Sequence, residues 1–237
     1  MMQAEITAKD GRDNMRLQSA IFDMDGTLLD SMPAWDKVAV ELLRRKGIEA
    51  EPDLNHQMMA MTSLQAAEYC KGRFGLSETP EEWVAQVMDI MGEFYRKKVE
   101  AKPGVERMLS ILKMEGVWMY VATATERPLA EAALKHAGIW AYFRGLITCT
   151  EAGGGKDMPV IYEKALRRLR SNKKDTVVFE DSLQAIRTAK AAGFRVAGVY
   201  DHSSLADQAA IKAESDYYIA SFEDWTERRD AGFPPEG

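Results

Sequence analysis

Two acids stand one residue apart where the first apolar run of the chain stops: Ala20-Ile21-Phe22-Asp23-Met24-Asp25-Gly26-Thr27. Side chains alternate along a strand, so Asp23 and Asp25 share a face if the extended geometry persists that far. Two carboxylates facing one crevice repel each other unless a cation or a proton sits between them. The pair therefore points to a metal site or an acid/base site. A calcium loop of the EF-hand type needs a Glu at its twelfth position. Counting from Asp23, that position holds Ala34, which excludes it.

Three later segments add chemistry of a compatible kind. Val121-Ala122-Thr123-Ala124-Thr125 ends on hydroxyls, Gly153-Gly154-Gly155-Lys156 sets a lysine behind glycines, and Val177-Val178-Phe179-Glu180-Asp181-Ser182 ends on a second acid pair. Each has an ordinary reading when taken alone. Thr123 can be a plain strand-end residue, Lys156 a solvated charge on a flexible loop, and Asp181 or Ser182 the N-cap of a following helix. The glycine run lacks the Gly-(four residues)-Gly-Lys-Ser/Thr spacing of a phosphate-binding P-loop. Taken together and in order, the hard oxygen ligands suit Mg²⁺, which keeps several waters and shares substrate phosphate oxygens. A threonine and a lysine beside such a metal suit a phosphoryl group.

The elements that must position these residues read as α/β. A strand is expected over residues 17–23. Residues 32–101 then show helical periodicity and no convincing strand. Pro33 opens a helix expected to run to Lys46, Thr62-Ser63 caps one over 64–74, and Thr79-Pro80-Glu81-Glu82 starts one reaching about Lys98. From Lys102-Pro103-Gly104 onward, strands expected at 118–123, 146–149, 176–179, 195–200 and 217–219 alternate with helices at 105–115, 128–137, 158–169, 183–192 and 204–213. That alternation indicates right-handed crossovers and a mostly parallel, Rossmann-like sheet. Ligands bind such sheets outside the C-terminal ends of the strands. There the four segments converge, with the helical block expected above that edge. The expected organisation is a leader at 1–16, an α/β core from 17–31 and 102–237, and an inserted all-helical cap at 32–101.

With these motifs in place, the chain resembles the haloacid dehalogenase superfamily, in its β-phosphoglucomutase-like phosphatase branch with a helical cap. The resemblance covers about residues 17–220. Asp23-Met24-Asp25-Gly26-Thr27 is similar to the family's first motif, Thr123 to the second, Lys156 to the third, and Glu180-Asp181 to the fourth. Gly155-Lys156-Asp157-Met158-Pro159 departs from the common Gly-Lys-Pro-x-Pro but keeps the lysine and the second proline. The resemblance implies Asp23 as a nucleophile that forms an aspartyl-phosphate, and Asp25 as general acid and then base. It implies Mg²⁺ on the Asp23 carboxylate, the Asp25 main-chain oxygen and Asp181, with Glu180 as a further ligand, and Thr123 and Lys156 on the phosphoryl oxygens. The expected activity is hydrolysis of a small phosphorylated metabolite such as a sugar phosphate. Sugar phosphomutases of the branch are similar to one another in a cap-linker histidine and a cap arginine. Here Trp35 stands twelve residues after Asp23, and Met58-Met59-Ala60-Met61-Thr62-Ser63-Leu64 holds no arginine. Phosphatase is therefore favoured over mutase. A non-catalytic binding protein on this fold is the remaining alternative, and it is disfavoured because Asp23, Asp25 and Lys156 are all present.

The bulk composition is consistent with this reading. The 237 residues are 46% hydrophobic, enough for a sizeable core, and the net charge of −6 gives no electrostatic reason to expect nucleic acid. Cys70 and Cys149 lie far apart, and His56, His136 and His202 form no zinc motif. No run approaches the length of a membrane span, and residues 1–16 lack the apolar stretch of a signal peptide. A cytoplasmic monomer, with no membrane or nucleic-acid partner, is expected. Trp35, Met58, Met59 and Met61 are candidates to line an adaptable substrate surface, or simply to pack between cap helices.

Overall fold

Ser19, Ala20, Ile21 and Phe22 are all buried, so the first core strand turns neither face to water. That is the pattern of a parallel strand covered on both sides by helices. The computed structural model describes residues 5–6, 15–58, 61 and 63–230, with side chains described except at 5, 6, 15, 16, 55, 56 and 227–230. Met59, Thr62 and most of the expected leader lie outside the described residues. Within the leader, β1 (Glu5–Ile6) and β2 (Met15–Arg16) form a short antiparallel ladder.

The described chain divides into two compact units, one built from residues up to Asp30 and from Glu100 onward, the other from Ser31–Val99. The first holds β3 (Ser19–Phe22), α6 (Val105–Met114), β4 (Trp118–Thr123), α7 (Arg127–His136), β5 (Leu146–Thr148) and α8 (Cys149–Ala152). It continues with α9 (Val160–Leu169), β6 (Thr176–Glu180), α10 (Leu183–Ala191), β7 (Arg195–Val199), α11 (Gln208–Glu214), β8 (Tyr217–Ile219) and α12 (Phe222–Asp230). Strands β3 to β8 form one parallel six-stranded sheet in the order β5-β4-β3-β6-β7-β8. The chain thus winds outward in both directions from central β3, which makes the C-terminal end of β3 the switch point where such sheets bind ligands. On one face, Ile21, Val178 and Val196 pack with Ile161 of α9 and Ile186 of α10. On the other, Phe22 stacks on Phe179 at 4.3 Å between ring centroids.

The register sets the site. Phe22 pairs with Val121 on one side and with Phe179 on the other, and the Asp23 N–H donates to the Phe179 carbonyl at 3.0 Å. Asp23 therefore comes level with Glu180. The chain leaves and returns beside itself. Asp30 N–H donates to Glu100 O at 3.0 Å, and Lys102 N–H donates to Leu28 O at 2.9 Å. Gly104 follows with φ of 82°, where a Cβ would stand 2.4 Å from the Glu223 nitrogen of α12. Only glycine fits this close backbone approach.

The second unit contains α1 (Met32–Trp35), α2 (Val38–Arg45), α3 (Leu54–Gln57), α4 (Ser63–Phe74) and α5 (Pro80–Lys97). It has its own core, which includes Leu43, Leu54, Met58, Cys70 and Trp83. The expected start of α5 is realised as a capping box. Thr79 Oγ1 accepts the Glu82 N–H at 3.2 Å, and Glu82 accepts the Thr79 N–H at 2.9 Å.

Several boundaries differ from the sequence expectation. The helix expected from Pro33 to Lys46 breaks at Asp36-Lys37, where Lys37 N–H bonds to Ala34 O in a tightened i→i+3 turn. The helix expected at 204–213 begins as a 3₁₀ segment, His202–Asp207, before α11. Helices α3, α8 and α12 have no counterpart in the sequence expectation. The first two are four residues long, too short for periodicity to register. Among the described residues no helix is long and apolar enough to cross a membrane.

Candidate active site

Asp23, Glu180 and Asp181 are all buried at the C-terminal edge of the sheet, and each offers a carboxylate oxygen within 4.8 Å of the others. Burial and neighbouring negative charge both favour the protonated form of a carboxyl, and the effect falls on Glu180 and Asp181. Burial, reinforced by the Asp23 charge and opposed by Lys156, pushes Glu180 up from 4.5 to about 7. Burial, then the charges of Asp23 and Glu180, holds Asp181 well above the usual aspartate range. Lys156 is the local counter-charge. Its Nζ pairs with Asp23 and lies 2.7 Å from Glu180 Oε1. Burial works against its charge, but Asp23 and Glu180 outweigh burial and hold Lys156 above the ordinary lysine value. The ammonium is delivered by the loop after α8, whose helix ends at Gly153 in the left-handed region, φ 76°.

Three supporting hydrogen bonds have no counterpart in the sequence reading. Thr27 Oγ1 donates to Asp181 Oδ1 at 3.0 Å, and Tyr162 OH on α9 donates to Glu180 Oε1 at 2.8 Å. Thr125 Oγ1 donates to Asp25 Oδ2 at 2.7 Å. Thr125 stands in the hydroxyl-rich strand end already noted, so composition hinted at it. Tyr162 carried no signal, because only the fold brings this side chain of α9 to Glu180. Thr123 ends β4 fully buried, and its Oγ1 accepts the Thr125 N–H at 3.0 Å. The structure thus brings Asp23, Lys156, Glu180 and Asp181 into one cluster and places Asp25, Thr123 and Thr125 in a hydrogen-bonded chain beside it.

The donor set suits a small, hard divalent cation. All three candidate ligands are carboxylates, and Glu180 Oε2 is buried without a hydrogen-bond partner. A buried carboxylate oxygen in that state is stabilised by a cation.

In the helical unit, the substrate-surface candidates separate. Met58 is 7% exposed, belongs to that unit's core and takes the Cys70 thiol at 3.4 Å, so it packs between helices. Met61 is 36% exposed. Trp35 Nε1 donates to the OH of fully buried Tyr95 at 3.0 Å, so its indole fastens α1 to α5.

Comparison with known proteins places the chain in a family. The haloacid dehalogenase-like hydrolase family matches residues 20–199. The phosphorylated carbohydrates phosphatase of Thermotoga maritima is 26% identical over 198 residues, covering 83% of this chain and 91% of that protein. Hexitol phosphatase A of Escherichia coli is 31% identical over 196 residues, covering 78% and 84% respectively. In structure, a CbbY variant from Rhodobacter sphaeroides, solved with xylulose-(1,5)bisphosphate, is similar with a TM-score of 0.70. It has 20% identity and covers 87% of this chain and 95% of that one, a likeness of fold. With the family pattern spanning most of the α/β unit, the chain belongs to the haloacid dehalogenase-like hydrolases, as an enzyme of the phosphatase kind.

Proposed function

We propose that this enzyme releases inorganic phosphate from a small phosphorylated carbohydrate or similar phosphomonoester, with Mg²⁺ as cofactor and Asp23 as nucleophile. The observation that carries the reading is the buried cluster of Asp23, Glu180 and Asp181 with Lys156 bridging two of its members. The names of the relatives support the substrate class. On this reading, an Asp23 carboxylate oxygen attacks phosphorus. The P–O bond to the sugar breaks, and Asp25 gives its proton to the departing alkoxide. Water then attacks the phosphorus of the aspartyl-phosphate, Asp25 takes the water's proton, and Asp23 is released with free phosphate. Thr125 fixes the Asp25 carboxylate for both proton transfers. Lys156, with Thr123, neutralises and orients the phosphoryl oxygens, since this chemistry depends on in-line positioning and charge. Mg²⁺ would be held by the carboxylates of Asp23, Asp181 and Glu180 and the main-chain oxygen of Asp25, offsetting the repulsion between a carboxylate nucleophile and an anionic ester.

We assign substrate discrimination to the inserted helical unit, residues 32–101, acting as a mobile cap through Met61 and neighbouring side chains. The experiment is a panel of phosphorylated sugars and polyols assayed with Mg²⁺ for free phosphate, with β-glucose 1-phosphate plus its bisphosphate included. Release of free phosphate from one sugar class supports the assignment. Efficient isomerisation to glucose 6-phosphate with negligible free phosphate overturns it in favour of a phosphomutase.

A further inference from the structure

Lys102 lies outside every motif used above, yet its ammonium has three acceptors. Nζ donates to the main-chain oxygen of Gly26 at 2.6 Å, the main-chain oxygen of Tyr200 at 2.7 Å and Asp201 Oδ2 at 2.7 Å. A lysine has three protons to donate, so this set satisfies it. The ion pair is largely out of water, with the Lys102 and Asp201 side chains 15% and 6% exposed. The other Asp201 oxygen accepts from the Ser203 N–H at 2.9 Å and hydroxyl at 2.6 Å, which fixes the carboxylate from the far side. The Lys102 backbone is fixed as well, by its N–H on Leu28 O.

The Gly26 carbonyl is the informative partner. Gly26 sits at φ 79° in a tight turn closed by Gly26 N–H on Leu29 O and by Leu28 and Leu29 N–H on Met24 O. The turn carries Asp25 before it and Thr27 after it. The peptide unit is planar, so fixing the Gly26 oxygen also fixes the Thr27 nitrogen. Thr27 in turn donates to Asp181, 154 residues away. A continuous path of short contacts therefore runs from the Lys102 ammonium through the turn to one of the three clustered acids.

We propose that Lys102 is a positioning residue for the metal-binding acids, holding the 24–29 turn so that Asp25 and, through Thr27, Asp181 keep their geometry. This inference rests on the Mg²⁺ reading above. Groups behind metal ligands change affinity or activity by about 10- to 100-fold when removed. A plain structural role for the buried pair must be separated from this one, because removing Lys102 alone leaves Asp201 buried and unpaired, which destabilises the fold.

The test compares wild type, Lys102→Met, Lys102→Arg and the double variant Lys102→Met/Asp201→Asn, full length. Mg²⁺ affinity is measured by calorimetry on metal-free protein, kcat and KM with p-nitrophenyl phosphate, and Tm by thermal melting. Lys102→Met should weaken Mg²⁺ binding roughly tenfold or more and lower kcat, with KM for the ester little changed. Lys102→Arg, which keeps charge and donors, should lose less. The double variant should regain the Tm lost by Lys102→Met yet keep the Mg²⁺ and kcat defects. Recovery of wild-type Mg²⁺ affinity together with stability in the double variant overturns the positioning role alone. A wild-type protein that takes up no Mg²⁺ overturns the metal reading and this role with it.

Discussion

Charge is held in opposite ways at the sheet edge and in the inserted helical unit. At the edge, Asp23 is paired with Lys156, 133 residues along the chain, and Asp181 is held by Thr27, 154 residues back. In the helical unit, Glu41 is held by Arg44 and Arg45 on the next turn of the same helix. The consequences for protonation are opposite too. Burial lifts Glu180 to about 7, whereas hydrogen bonds from Arg44 and Arg45 hold Glu41 down at about 2. Solvent screens the helical pair, and such exposed bridges contribute little to stability. The first arrangement concentrates like charge where nothing but a cation or proton relieves it. The second is a solvated face of one helix, where each acid is offset by a neighbouring base. Buried acid repulsion maintained by long-range contacts is therefore the mark of the site.

The sharpest way to break this contrast is Asp23→Asn. Losing the nucleophile should lower kcat roughly ten-thousandfold or more, as removal of a covalent nucleophile does elsewhere. The fold should survive, since the change removes one of three clustered negative charges. A phosphate-release assay and a thermal melt check both parts. Near-wild-type turnover would rule out covalent catalysis by Asp23.

Metal and pH give the next largest effect. Chelation of Mg²⁺ should abolish turnover. A carboxyl whose pKa is raised on folding binds its proton more tightly in the native state. The stability it contributes is present below the ordinary carboxylate pKa and is lost as pH rises through the folded value. For Glu180 that window runs from 4.5 to about 7, with Asp181 shifted in the same direction. The Tm of metal-free protein should therefore fall between about pH 5 and about pH 8, and added Mg²⁺ should raise Tm more at the upper end. Glu41 has the opposite sign, and its small contribution should persist until pH falls below the ordinary carboxylate range towards about 2. An equal Mg²⁺-induced shift at both pH values would sink the link between the raised acids and the metal.

The sheet edge was more legible in the sequence than the bonds that organise it. Strand ends are marked by where apolar runs stop, and β4 and β8 match their expected limits, 118–123 and 217–219. Because a parallel sheet gathers those ends, the grouping of Asp23, Lys156, Glu180 and Asp181 followed from order along the chain. The contacts Thr27–Asp181, Thr125–Asp25 and Tyr162–Glu180 did not, because each depends on side-chain direction across separate elements. The helical unit was less legible still. Periodicity located α5, but it could not separate buried Met58 from exposed Met61 three residues on. Nor could it show that the Trp35 indole is bound to Tyr95.

Thr125→Val sharpens the comparison within the site. It removes the hydroxyl that orients Asp25 and leaves the acid cluster untouched. General acid–base catalysis contributes about 100- to 10,000-fold, so misplacing its carboxylate should lower kcat by part of that, on the order of tenfold. KM should change little, because the ester's phosphoryl contacts remain. Single-turnover kinetics will show whether the loss falls on phosphorylation of Asp23 or on its hydrolysis. An unchanged kcat would mean that Thr125 does not hold Asp25 in the working state.

The smallest effect is expected in the helical unit, where Met58→Ala and Met61→Ala form a matched pair. Met58 is buried in that unit's core, so truncation should cost about 2–5 kcal/mol of stability while leaving the ranking of substrates intact. Met61 is exposed, so truncation should leave Tm nearly unchanged. If the unit selects the substrate through this surface, Met61→Ala should instead shift kcat/KM between phosphate esters by several-fold, the lower end of the roughly 1–3 kcal/mol that one apolar contact provides in discrimination. Mg²⁺ affinity should stay the same in both variants, since no metal ligand lies in this unit on the proposed assignment. Measuring kcat/KM for the same panel of sugar and polyol phosphates on each variant decides the point. A uniform loss across all esters after Met61→Ala, or no loss, would take specificity away from this surface, whereas a change in rank order would place it there.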